Sequence, residues 1–125
     1  MKALVVEGSS TMRSVLRRIL SMRGFEVAEA DSARLALDVV NSTGKADLVL
    51  LDWSLREVDC KEFITRLRDE AAHFTFVIML AAPETDIREF QKALIAGADA
   101  CLVKPFTSLQ IDEKLAQAAL TWGRG

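Results

Sequence analysis

Histidine and cysteine are scarce in this sequence: His73 stands alone, and Cys60 and Cys101 are the only thiols among 125 residues. One imidazole and two separated cysteines cannot supply the four ligands of a structural zinc site. Two thiols give no disulfide framework either, so reduced cysteines in a cytoplasmic protein are expected. Long apolar runs are also missing. The stretch at 76–82 is far too short to cross a bilayer, which leaves no membrane partner. Lys2 is followed by apolar residues 3–6, but Glu7 ends that run before it can form a signal peptide's hydrophobic segment. There is no surplus of positive charge: 16 Lys and Arg stand against 18 Asp and Glu, a formal net charge of −2. A domain that binds DNA directly needs a basic face, so no direct DNA binding is expected.

What the sequence does have is a hydrophobic half, enough to build one continuous core, and a length that suits a single domain over residues 1–125. The apolar residues are of two alternating kinds. Runs at 3–6, 25–28, 48–51, 76–80 and 100–103 are short and nearly continuous, as in strands buried on both faces. Between them the spacing is helical. Met12, Val15, Leu16, Ile19 and Leu20 form one stripe, opened by Ser9, Ser10 or Thr11 as a cap and closed at Gly24. Leu35, Ala36, Val39 and Val40 predict a second helix ending before Gly44, and Phe63, Ile64 and Leu67 a third. Ile87, Phe90 and Leu94 predict a fourth that ends at Gly97. Thr107 and Gln110 make a capping box for a fifth, which carries Ile111, Leu115, Ala118 and Ala119.

Five strand–helix repeats with short turns imply right-handed crossovers, hence an α/β fold with a doubly wound parallel sheet and helices on both faces. Ligands of such sheets bind outside the carboxyl ends of the strands, where the strand order reverses. The residues expected there are Glu7 and Gly8, Asp52 and Trp53, Ala81 and Ala82, and Lys104. Asp52 by itself reads equally well as a turn cap, and Lys104 as a surface residue. Together they describe more. Pro105 fixes the chain after Lys104, so its ammonium is held facing a strand-end carboxylate, an arrangement suited to a phosphoryl group or another anion.

The ordered blocks Leu4-Val5-Val6-Glu7-Gly8-Ser9-Ser10-Thr11-Met12-Arg13, Asp47-Leu48-Val49-Leu50-Leu51-Asp52-Trp53, Val77-Ile78-Met79-Leu80-Ala81-Ala82, Ala96-Gly97-Ala98-Asp99 and Leu102-Val103-Lys104-Pro105-Phe106-Thr107 resemble the receiver domain of response regulators. The likeness runs from Lys2 to about Leu120 and is nearest to single-domain receivers of the chemotaxis CheY kind. It implies the flavodoxin-like strand order 2-1-3-4-5 with five helices. It also implies a two-component signalling protein rather than an enzyme, with at most slow self-dephosphorylation. Asp52 matches the phosphoacceptor, charged by a histidine kinase or phosphotransfer protein, and Lys104 matches the lysine that pairs with the phosphoryl group. Glu7 matches one member of the acidic pair that holds Mg²⁺ with the acceptor, and Ser54 the residue that lends the metal its backbone carbonyl.

Four departures from the family pattern bear on mechanism. Gly8 replaces the second acid, and Ala81 replaces a Thr or Ser whose hydroxyl bonds the phosphoryl group. Cys101 stands at the switch position, often Tyr or Phe, and the loop from Leu55 to Cys60 lacks the usual Pro-Gly pair and later Gly. A weak Mg²⁺ site, or one lost altogether, is therefore expected, because losing a metal ligand should cost at least the 10–100-fold typical of losing its supporting partner. With Ala81 and Cys101 at the switch positions, phosphorylation is expected to change little beyond Asp52 and Lys104. An alternative is a pseudo-receiver that binds a partner without being phosphorylated; an enzyme using Asp52 as a nucleophile rests on fold analogy alone. Arg13, Arg17, Arg18 and Arg23 read as a solvated face of the first helix or as a docking surface for the phosphodonor. Trp53 reads as a packing residue, and the loop 8–11 lacks the Gly-Lys-Ser/Thr of a nucleotide-binding P-loop.

Overall fold

A computed structural model of the chain describes residues 1–44, 46–55, 57–69 and 75–124; His73 and Arg56 lie outside the described residues. The elements alternate as β1 (Lys2–Val6), α1 (Ser10–Met22), β2 (Glu26–Ala30), α2 (Ala33–Thr43), β3 (Leu48–Asp52), α3 (Glu57–Asp69), β4 (Phe76–Ala81), α4 (Ile87–Ala96), β5 (Ala100–Val103) and α5 (Ser108–Arg124). The five strands pair in parallel in the order β2-β1-β3-β4-β5. The chain thus reverses its direction of travel across the sheet between β1 and β3, and a crevice opens above their carboxyl ends.

Strand side chains alternate between two cores, as the two-residue period of a strand demands. Leu4, Val6, Val49, Leu51, Val77 and Met79 pack against α2, α3 and α4, with Phe63 and Ile64 at the centre. Ala3, Val5, Leu48, Leu50, Ile78, Leu80 and Leu102 pack against Leu16 and Leu20 of α1 and Ile111 and Ala118 of α5. Full burial of each Leu contributes about 1.5–3 kcal/mol, so this two-sided layer dominates the fold's stability. The helix starts follow the sequence signals. Ser9 accepts from the Met12 amide, and Thr107 and Gln110 exchange hydrogen bonds as a capping box.

Three expectations need correction. β2 is an edge strand and only partly buried, so it does not share the two-sided burial of β1, β3 and β4. Ile87 and Leu94 do not face the core of α4; they are 71% and 55% exposed. Phe90 packs inward as expected, Ala93 completes the inward face, and Gly97 continues it at helical spacing. A Cβ at Gly97 would stand 2.8 Å from Ile64 Cγ2, and its φ of +119° is left-handed, so glycine lets α4 end tightly against α3. Val15 and Leu35 are likewise nearly half exposed, because a stripe drawn from apolar spacing is wider than the strip each helix buries.

Candidate functional site

The parallel register brings the site together. Val6 pairs with Leu51, so the next residue along each chain, Glu7 and Asp52, come abreast at the open end of β1 and β3. Two strands across, Lys104 follows β5 directly and its amide bonds the Ala81 carbonyl at 2.8 Å. Both carboxyls are buried, Glu7 to 2% and Asp52 to 3% exposure. Buried charge is tolerated only when paired, and the Lys104 ammonium is the partner. Its Nζ lies 2.9 and 3.2 Å from the two Glu7 carboxyl oxygens and 3.6 Å from Asp52 Oδ1. Lys104 therefore sits on Glu7 first and on Asp52 second, whereas the sequence pattern alone set it against Asp52. The reason is that Asp52 Oδ1 is already served, by the Ser54 amide at 3.0 Å and the Ser54 hydroxyl at 2.7 Å.

The two carboxyls titrate apart. Burial pushes Glu7 above the ordinary carboxylate range, and the bonds from Lys104 and the Ser9 amide offset this only in part. Burial also acts to raise Asp52, but the Ser54 hydroxyl and amide and the Lys104 charge outweigh it. Asp52 consequently falls below the usual carboxylate range while Glu7 rises above it.

The metal question turns on Gly8. Its backbone does not need glycine: φ is not left-handed, and an added Cβ would meet only Leu55 Cδ2 at an ordinary 3.5 Å. Among the described residues, no group of three or more His, Cys, Asp or Glu is placed to hold a metal. The two carboxylates that do converge still fit Mg²⁺, which is commonly held by one or two carboxylates with waters completing its octahedron.

Sequence reasoning missed polar contacts of four residues, three of them beside the site. The Ser54 hydroxyl was overlooked in favour of its carbonyl, although a Ser two residues after a strand-end Asp is a common partner for it. Arg13 was assigned to the solvated face or a docking surface of α1. Its Nη1 instead donates to the carbonyls of Glu7 (2.7 Å) and Gly8 (3.3 Å), while its Nε faces Glu29 at 3.6 Å. Arg23 likewise leaves that surface, gripping Asp112 of α5 with a two-pronged ion pair. Trp53 does pack as expected, but its indole N–H also reaches Glu89 at the start of α4. Ala81 is buried and Cys101 half-buried, both against the α4 side of the sheet. They offer neither a hydroxyl nor a ring there. No helix among the described residues is long and apolar enough to cross a membrane.

A buried carboxylate pair bridged by a lysine at the topological switch point of a 2-1-3-4-5 sheet is the architecture of a phosphoacceptor signalling domain. The chain belongs to the response regulator receiver domain family, whose profile matches residues 3–116. It is 32% identical to the chemotaxis protein CheY1 of Helicobacter pylori over 116 residues, 92% of this chain and 94% of that protein. It is 33% identical to a CheY homolog of Campylobacter jejuni over 92% of this chain and 89% of the relative. Among solved structures, chemotaxis protein CheY4 of Vibrio cholerae superposes with a TM-score of 0.81 at 28% identity, covering 94% and 97% of the two chains. Receiver domains are regulatory phosphoacceptors of two-component signal transduction, supplied by histidine kinases or phosphotransfer proteins, and they typically bind Mg²⁺ at the acidic pocket.

Proposed function

We propose that this receiver works in the cytoplasm and takes a phosphoryl group on Asp52 from a phosphohistidine of a histidine kinase or phosphotransfer protein. The observation that carries the reading is Asp52, buried beside the Lys104 ammonium at the open end of the sheet and bonded on Oδ1 by Ser54. An Asp52 oxygen attacks phosphorus, the new O–P bond forms as the P–N bond breaks, and the donor imidazole keeps the electron pair. Lys104 lies within reach of the incoming oxygens and offsets their charge. Ser54 holds the nucleophile in orientation, with its amide and hydroxyl fixing Oδ1. Arg13 fixes the loop that carries Glu7 by binding its carbonyl.

Glu7, Asp52 and the Ser54 carbonyl are the groups that would hold Mg²⁺, which supplies charge neutralisation on the transferring group. With Gly8 in place of a second acid, that binding is weak. A phosphorylation-independent interaction module has no use for a lysine stationed over two buried carboxyls. Incubation with a small-molecule phosphodonor and Mg²⁺, read by intact mass, tests the proposal: one added phosphoryl group is expected, and unmodified protein would refute it.

A further inference from the structure

Receivers must pass the state of their acceptor to a surface, and here the two positions expected to do so are Ala81 and Cys101, with nothing to pull and no ring to turn. The structure shows a different connection. Trp53 follows Asp52 directly, and its backbone N–H is anchored on the Leu80 carbonyl at 2.9 Å. Its ring is 6% exposed within the core that faces α2, α3 and α4. From there Nε1 donates to Glu89 Oε2 at 3.3 Å. Glu89 lies in the first turn of α4, with its amide on Asp86, the residue that caps the helix. Lys92 takes its other oxygen at 3.1 Å. One side chain therefore joins the residue beside Asp52 to the start of α4.

We infer that the Trp53–Glu89 hydrogen bond is this protein's link between the charge on Asp52 and the conformation of α4, in place of a hydroxyl at 81 and an aromatic at 101. Ionised Asp52 holds Ser54 through two charge-assisted bonds, and such bonds are roughly twice as strong as neutral ones. Attaching a phosphoryl group moves the charge from the carboxylate oxygens to the phosphoryl oxygens, and Ser54 must follow it. Because Trp53 is pinned on Leu80 by its amide, it absorbs the displacement of the peptide that follows it. Its indole contact is already at the long end of hydrogen-bond geometry, so a small movement breaks it. The first turn of α4 then loses its tie to β3. A ligand shifts an equilibrium only through contacts that differ between the two states, and this contact is one that does. The revised expectation is a response in the first turn of α4 but not in β5.

The inference takes its physiological signal from Asp52 phosphorylation, yet the wiring is testable without it. Asp52→Asn removes the charge while keeping an oxygen for Ser54. Amide and indole spectra of the unphosphorylated wild type and Asp52→Asn should differ at Ser54, at the Trp53 Nε1–H and at residues 87–90. In a Glu89→Ala background, Asp52→Asn should still move Ser54 but no longer move residues 87–90. Trp53→Phe, which keeps a ring and deletes the N–H, should give the same loss; Glu89 is partly exposed, so its variant tests the link without opening the core. Amides at 87–90 that stay still in Asp52→Asn, or that move equally without Glu89, would overturn the link. Failure of Asp52 to accept a phosphoryl group would instead appear in the intact mass of the wild type and leave these spectra unchanged.

Discussion

Lys104 Nζ lies 2.9 Å from Glu7 Oε2 and 3.6 Å from Asp52 Oδ1, so one half-buried cation serves two buried carboxyls. Lys104→Met should therefore lower the stability of the metal-free protein by about 1–3 kcal/mol, the cost of leaving a buried charged group without its partner. Adding Glu7→Gln should return part of that loss, since the amide carries no charge to compensate. Denaturant melts of the two variants check this. A double variant no more stable than Lys104→Met alone would show that Glu7 is not the group Lys104 compensates.

Gly8→Asp restores a carboxylate where the backbone and Leu55 leave room for it. Mg²⁺ affinity, titrated through Trp53 fluorescence, should tighten by about ten-fold or more. Equal affinity in the two proteins would mean that Glu7 and Asp52 already make a full site.

Gly97→Ala should destabilise the fold by about 1–3 kcal/mol, from left-handed backbone strain and the approach to Ile64. The midpoint of thermal unfolding reports it. A neutral effect would mean that α3 and α4 can separate freely at this corner.

The Arg23–Asp112 pair gives a pH signature far from the acidic pocket. The Arg23 hydrogen bonds hold Asp112 below the ordinary carboxylate range. A carboxyl with a depressed folded-state pKa adds stability that is full above its unfolded value, about 3.9, and vanishes as the pH falls through its folded value. Asp112→Asn should thus melt lower than the wild type at pH 7, with the gap closing below about pH 4. A gap that persists in strong acid would assign the effect to packing between α1 and α5.

Much of this was legible in the sequence, and the rest was not for physical reasons. Continuous apolar runs announce β1, β3 and β4 because strands covered on both faces tolerate little else. That Glu7, Asp52 and Lys104 share one edge followed from strand ends alone, since a parallel sheet brings all its carboxyl ends together, whereas the partnership of Glu7 with Asp52 came from the family resemblance. The inward face of α4 was legible only at Phe90, because Ile87 and Leu94 outweigh Ala93 in hydrophobicity although Ala93 is the residue that is buried. Lys104's preference for Glu7 was hidden too. It depends on Ser54 occupying Asp52 first, a contact set by the turn's conformation and not by any spacing. Arg13 and Trp53 escaped for a similar reason: each looked complete as a surface or a core residue, and each has a second, polar end.

The central claim is that Asp52 is the acceptor, and the nearest competing nucleophile is the Ser54 hydroxyl, 2.7 Å from it. Peptide-level mapping after phosphodonor treatment of the wild type, Asp52→Asn and Ser54→Ala separates the two. Phosphorylation of the wild type and Ser54→Ala, with none in Asp52→Asn, is the expected result. A phosphoryl group that persists in Asp52→Asn and disappears in Ser54→Ala would contradict it.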